Sequence, residues 1–242
     1  MNIAIIGYGK MGKEVEIVAR EKKHQIVAII DNPNDWELQG KNLTNADVAF
    51  EFSIPQNAVT NILKCFEVNL PVVCGTTGWL AQYEEVRQVC ILEGQSFFYA
   101  PNFSIGVNIF FEINKKLARL MKPFSGYEIS IEEAHHSMKA DSPSGTAIRL
   151  ADDIVEETEH KKTWSKAENP DPEQIGITSI REGNIPGIHT VVYESSFDKI
   201  EITHSAKSRR GFAMGAIMAG EWLIGKKGIF SMKDLLEIND KN

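Results

Sequence analysis

The sequence predicts an α/β protein: a doubly wound parallel sheet, followed by a second domain of α+β type. Three observations carry this. Short apolar runs alternate with helix-patterned stretches through the first hundred residues. A glycine-rich turn closes the first of those runs. Beyond residue 103 the rhythm gives way to longer runs that alternate apolar with polar residues, the pattern of a sheet with one open face.

Residues 2–6 form an apolar, β-favouring run, and Gly7-Tyr8-Gly9-Lys10-Met11-Gly12 follows at once. The next stretch, 13–20, places Val15, Val18 and Ala19 on one helical face. A second strand spans 25–30 and ends in Asp31. Further strands are predicted at 47–52, 71–74 and 95–100, with helices near 56–67 and 80–93 between them. Three of these strands run into loops of distinct chemistry: Ser53-Ile54-Pro55, Gly75-Thr76-Thr77-Gly78 and Ala100-Pro101-Asn102-Phe103. In open α/β sheets ligands bind beyond the carboxyl ends of the strands, so these loops are expected to line a cofactor cleft. A helix is predicted over 105–121, and an alternating strand over 127–133. Later strands are expected at 177–182, 188–197 and 199–205, the last two joined by a short turn. Residues 158–176 read as a long surface loop, and 211–223 as an apolar helix rich in small residues.

The glycine turn sits where a dinucleotide fingerprint requires it, after a strand and before a helix. In that pattern Gly7 permits the tight turn, Gly9 lets a pyrophosphate approach the backbone, and Gly12 lets helix and strand pack closely. Asp31, 24 positions after Gly7, is the acid expected to accept from the adenosine ribose hydroxyls. A carboxylate there repels a 2′-phosphate, and no cation follows it before Lys41, which favours NADH. Lys10 and Lys13 leave use of NADPH open.

Residues 132–147 carry the second signal. His135 and His136 are adjacent, Lys139 follows, and Pro143-Ser144-Gly145-Thr146 opens a helix. Histidine titrates nearest neutrality, and lysine adds a compact second donor. A helix start at Gly145 and Thr146 leaves backbone N–H groups free for a carboxylate or phosphate. Together they suit the reduction or protonation of a small anion. His135 and Lys139 lie in a segment leaving a strand, so helical spacing is not assumed.

Composition sets limits. A chain of 242 residues with net charge −7 is poorly suited to bind nucleic acid or an anionic membrane. No apolar run approaches the roughly 18 residues of a membrane span, and no leader segment is evident, so a cytoplasmic location is expected. Cys65, Cys74 and Cys90 lack C-x-x-C spacing and read as free thiols. No His, Cys and carboxylate cluster has metal-ligand spacing, so no metal is expected. His189 and His204 fall in strand patterns and read as structural or interfacial. His24 and His160 read as surface residues. Arg209-Arg210 could face substrate carboxylates or simply solvate a loop.

These residues resemble the 4-hydroxy-tetrahydrodipicolinate reductases, formerly dihydrodipicolinate reductases, of diaminopimelate and lysine synthesis. The resemblance spans essentially the whole chain. It rests on Gly7 to Gly12, Gly75-Thr76-Thr77-Gly78, Ala100-Pro101-Asn102-Phe103-Ser104, Glu133-Ala134-His135-His136 through Lys139, Asp141, Pro143-Ser144-Gly145-Thr146 and Ile202-Thr203-His204. It implies a Rossmann-type domain over 1–103 completed by 212–242, with an inserted substrate-binding and tetramer-forming domain over 104–211. It further implies NAD(P)H-dependent reduction of 4-hydroxy-tetrahydrodipicolinate with loss of water. His135 and Lys139 would take the acid–base roles, His136, Gly145 and Thr146 would bind the dicarboxylate, and Gly75 to Thr77 with Ala100 to Phe103 would contact the cofactor. The family pattern often has a basic residue just after the second strand, which this chain lacks. Two other classes share parts of the pattern. An amino-acid or imine dehydrogenase would need the glycine turn but not the histidine segment, and a dinucleotide sensor would need a partner- or DNA-binding module.

Overall fold

A computed structural model describes residues 1–238 and divides the chain into two compact units. The first takes Met1–Ile105 and the chain from Arg209 onward, and the second takes Gly106–Ser208. Residues 239–242, part of the segment expected to complete the first domain, lie outside the described residues.

The first unit opens with β1 (Asn2–Ile6), α1 (Lys10–Glu21) and β2 (Gln25–Ile30), then α2 (Pro33–Gln39), β3 (Val48–Glu51), α3 (Pro55–Glu67), β4 (Val72–Cys74), α4 (Tyr83–Leu92) and β5 (Ser96–Tyr99). The second unit holds most of α5 (Ile105–Met121), then β6 (Glu128–His135), α6 (Gly145–Glu157), β7 (Thr163–Ser165), β8 (Gln174–Arg181), β9 (Ile188–Glu194) and β10 (Lys199–Ser205). The chain returns to the first unit with α7 (Arg210–Leu223), β11 (Gly228–Phe230) and α8 (Met232–Leu235).

In the first unit six parallel strands run in the order β11-β5-β4-β3-β1-β2. Both faces are covered. Ala4 and Ile6 pack with Ala58, Ile62 and Phe66 of α3, whereas Ile3 and Ile5 pack with Val15 and Val18 of α1 and Ala216 of α7. That double cover explains why the strands read as continuous apolar runs, since each fully buried Ile, Val or Phe contributes roughly 1.5–3 kcal/mol.

The second unit is a mixed five-stranded sheet, β10-β9-β6-β8-β7, in which β6 pairs parallel with β8 and antiparallel with β9. Ile129 and Ile131 of β6 face a core with Phe110, Phe111, Leu150 and Ile154, while Ser130 and Glu132 stay exposed.

Three readings need correction. The segment 158–176 is not simply a surface loop: it contains β7 and the start of β8, and Lys161 within it is buried. The Lys161 ammonium donates to Glu128 at 3.1 Å and to the carbonyls of Pro172 and Gln174, which offsets the desolvation of a buried charge. Strand β11 and helix α2 had no element assigned to them. Three residues are too few to show a period, and Asn32-Pro33 reads equally as a turn. In the fold Asn32 caps α2, its side chain accepting from the Asp35 N–H at 3.1 Å. Finally, His24 is half-buried and paired with Glu221 at 2.9 Å, not simply a surface residue.

Candidate functional site

In the first unit the chemistry gathers at the carboxyl ends of β1, β2 and β3. Gly7 has a φ of +88°, and a side chain there would overlap the Phe52 carbonyl. One at Gly12 would overlap the Gly7 carbonyl. Gly9 is different, because nothing lies within 4 Å of where its Cβ would stand. Gly9 is also the residue before α1, which has no side-chain cap and no acidic residue in its first turn. The N–H groups of Lys10, Met11 and Gly12 therefore lack intrahelical acceptors at the positive end of the helix.

Asp31 accepts from the Tyr8 N–H at 2.6 Å, tying the glycine turn to the end of β2. Beside it opens a cavity of about 500 Å³. Its lining takes Gly7, Asp31 and Ser53 from the predicted cofactor residues and adds Trp36, Asn57, Thr60 and Lys64. The Ser53 hydroxyl donates to Glu51, which is fully buried. The Lys64 ammonium stands 4.3 Å from the centre of the Trp36 ring. No cation was visible near Asp31 in the sequence, because Lys64 arrives from α3. The signal lay in the spacing of Asn57, Thr60 and Lys64, which share one face of that helix.

The other predicted loops do not line this cavity. Thr76 is buried and its hydroxyl has no hydrogen-bond partner among the described residues, while Thr77 is exposed. Gly75 lies so close to the Phe52 ring that a side chain would overlap it. Ala100 and Phe103 are buried, Phe103 stacking on Phe98 with ring centres 5.9 Å apart. Phe103 can thus offer a ligand only its backbone. Pro101 is exposed, and the Asn102 side-chain oxygen, Oδ1, accepts from the Ser104 N–H at 2.8 Å. An uncapped helix start, an open Gly9, an acid ending β2 and an unpaired Thr76 hydroxyl fit a dinucleotide.

In the second unit the cluster lies at the end of β6, where alternation stops and Glu133, Ala134 and His135 are all buried. One Glu133 oxygen, Oε2, lies 2.7 Å from His135 Nδ1. The other accepts from Arg181 Nη2 at 2.6 Å and from the Ser144 N–H at 3.2 Å. Burial alone would raise the Glu133 pKa, but the close His135 ring and the bonds from Arg181 and Ser144 outweigh it and hold the carboxyl well below its usual range.

His189, opposite Glu133 in the β6–β9 register, meets the His135 ring edge-on at 5.0 Å and stands 3.1 Å from Ser144 Oγ. Burial first, and then the facing His135, bring its pKa down to about 3, so it is neutral near pH 7. The fold thus sets this histidine against His135, which its strand pattern alone did not reveal. His204 is half-buried beside Phe110.

Beyond His135 the chain turns, the Lys139 N–H bonding to the His136 carbonyl at 3.1 Å. The Lys139 ammonium pairs with Asp141 at 2.7 Å. Burial would raise the Asp141 pKa, but Lys139 lowers it. Helix α6 then starts, with the Ser144 side chain accepting from the Ala147 N–H at 3.2 Å. The N–H groups of Gly145 and Thr146 are left to an outside acceptor. Gly145 is exposed, with nothing within 4 Å of where its Cβ would stand.

The expectation of no metal cluster rested on spacing and needs one amendment. Glu133, His135 and His189 bring their ligand atoms within 4.8 Å of one another. The Arg181 guanidinium holds one Glu133 oxygen and repels a cation there, so the three do not fit a metal centre. Arg210, one of two arginines considered for substrate, is ion-paired with Glu21.

Comparison with known proteins identifies the family. Residues 1–103 match the family described as dihydrodipicolinate reductase, N-terminus, and residues 106–236 match its C-terminus. A curated 4-hydroxy-tetrahydrodipicolinate reductase of Christiangramia forsetii is 51% identical over 242 residues, covering 100% of both chains. Another, of Methanosarcina barkeri, is 36% identical over 98% of this chain and 99% of its own. In fold, the chain is similar to dipicolinate-bound dihydrodipicolinate reductase of a Paenisporosarcina species, with a TM-score of 0.74 and 22% identity over 96% of this chain and 97% of that one.

Proposed function

The chain belongs to the dihydrodipicolinate reductase family, and on that premise we propose how its residues divide the work. It is an oxidoreductase that uses a nicotinamide cofactor to reduce 4-hydroxy-tetrahydrodipicolinate, with loss of water, on the diaminopimelate route to lysine. The first unit serves as the dinucleotide-binding domain and the second as the substrate-binding and tetramer-forming domain. A bound dihydronicotinamide supplies the hydride.

The proton that balances the hydride comes from His135 and Lys139. One substrate carboxylate sits on the Gly145 and Thr146 N–H groups, with His136 beside it. The observation that carries this reading is the loop from β6 to α6: His135 lies against a buried carboxylate, Lys139 is ion-paired with Asp141, and the loop ends at a helix start whose first N–H groups are open. Gly7 to Gly12 hold the pyrophosphate. Ser53, Gly75, Thr76, Thr77 and the backbone of Ala100 to Phe103 complete the cofactor seat. The deciding assay follows NADH loss with the aldol product of pyruvate and aspartate semialdehyde. Failure to turn over that product, with turnover of an amino acid or imine instead, overturns the reading.

NADH is bound at least as tightly as NADPH. Asp31 supports this at the end of β2, and Lys64 is the one counterweight in the cavity lining, its charge resting on Trp36. Titration of nicotinamide fluorescence with each cofactor tests it. A tenfold preference for NADPH, about 1.4 kcal/mol, would defeat the Asp31 argument.

The enzyme works in the cytoplasm as a homotetramer. The open face of the second sheet, with Ser130, Thr190, Val192 and Thr203, is the surface offered for assembly. Light scattering that returns only the 27.1 kDa mass of one chain would refute the tetramer.

A further inference from the structure

We propose that Glu133 and Arg181 act as a positioning pair: Arg181 fixes Glu133, and Glu133 holds the His135 ring through Nδ1, leaving Nε2 as the atom that gives up the proton. This rests on the reading of His135 as a proton donor.

The geometry is local and closed. His135 of β6 lies opposite Arg181 of β8 in the parallel register, and Glu133 sits two residues back on the same face. The carboxylate spans the gap, with one oxygen at Nδ1 and the other on the guanidinium. On the far side the ring is confined by Gly187, where a Cβ would lie 3.1 Å from His135 Nε2. The His189 ring closes a third side. Arg181 Nη2 also donates to the Asp141 carbonyl at 2.7 Å, so one guanidinium ties Glu133 to the loop that carries Lys139.

Physical chemistry argues against a purely structural role. A buried ion pair is a weak source of stability, because desolvation offsets the attraction between its members. A carboxylate at one imidazole nitrogen, by contrast, sets the tautomer and favours the charged ring, which a proton donor needs. The charged and titratable groups around His135 are Glu133 on β6, His136 next in the chain, Arg181 on β8 and Glu182 just after it, His189 on β9, and Lys139 and Asp141 on the loop, with His204 on β10 beyond His189. Among them Glu133 is the anion at contact distance.

The test compares Glu133→Gln with Glu133→Asp, each alone and combined with His135→Gln. Glu133→Gln keeps the shape and removes the charge. We expect kcat to fall about 10- to 100-fold and the basic limb of its pH profile to move to lower pH, with NADH affinity unchanged. Glu133→Asp keeps the charge at shorter reach, so kcat falls less and the limb stays near its original position. In the His135→Gln background, Glu133→Gln should add less than about twofold, as expected for groups that act as a unit. Should Glu133→Gln fail to fold by circular dichroism, Glu133→Asp alone decides, and a limb displaced in that variant overturns the pair. A limb unmoved in Glu133→Gln, or a full additional loss in the double variant, also overturns it. Near-normal kcat in His135→Gln overturns the assignment of His135 and this proposal with it.

Discussion

His135 and Lys139, the two proposed donors, stand four positions apart, yet the groups that surround them come from different places. Lys139 takes its counter-charge from Asp141, two residues on, at 2.7 Å, a pairing legible in the sequence. His135 draws on Glu133, also nearby, but Arg181 and His189 come from other strands and only folding brings them in. Local spacing therefore picks out the two proposed donors and misses half of what surrounds them. Losing a general acid typically costs 10²–10⁴-fold, or about 2.7–5.5 kcal/mol of transition-state stabilisation. His135→Gln and Lys139→Ala should each lower kcat by that order. Lys139→Ala should also raise KM, since the substrate is a dianion and the lysine charge is gone. Steady-state kinetics on variants with unchanged circular dichroism decide the matter. If both keep near-normal kcat, the proton comes from water or His136.

Helix starts show what is readable in an element and what is not. The starts of α1 and α6 were both legible, because glycine and small residues follow a strand or a proline at fixed offsets. Strands β7 and β11 and helix α2 were not, since each is too short for periodicity to outvote its turn-like residues. The two legible helices differ in a way only the structure reveals. At the start of α1, Gly7 in the preceding turn and Gly12 in the helix are demanded by packing, so a side chain at either damages the fold. In α6, Gly145 faces open space. Gly145→Val should therefore leave the fold and NADH affinity intact while raising KM or abolishing activity, because the new side chain enters the space a carboxylate would occupy. Fluorescence titration with NADH beside steady-state kinetics separates the outcomes. Equal damage to cofactor binding would mean that the glycine serves folding.

Across the whole chain the change of rhythm near residue 103 is the sequence signal that best separates the two units, since a doubly covered parallel sheet and a half-open mixed sheet bury their strands differently. No helix among the described residues is long and apolar enough to cross a membrane. Stability against acid is a property of the whole fold that hidden groups set and the sequence cannot reveal. His189 has its pKa lowered from 6.5 to about 3, chiefly by burial. The unfolded chain therefore binds a proton between those values that the folded chain refuses. Its contribution to stability is complete above pH 6.5 and declines as the pH falls, by up to about 1.4 kcal/mol per pH unit. Glu133, depressed below its ordinary 4.5, acts in the same direction, but its contribution is lost only below that value. Over pH 6.5 to 4.5 His204 is shifted in the same sense by burial, while buried Asp153, whose pKa burial raises, works in the opposite sense, so the comparison of a His189 variant with the unaltered protein is what isolates His189. His189→Gln removes one titrating group while keeping an amide that can meet Ser144 Oγ. Urea unfolding at several pH values in that interval should show a shallower decline for the variant than for the unaltered protein. Equal slopes would mean that His189 is protonated in the folded protein, and the neutral assignment at its contact with His135 would fall.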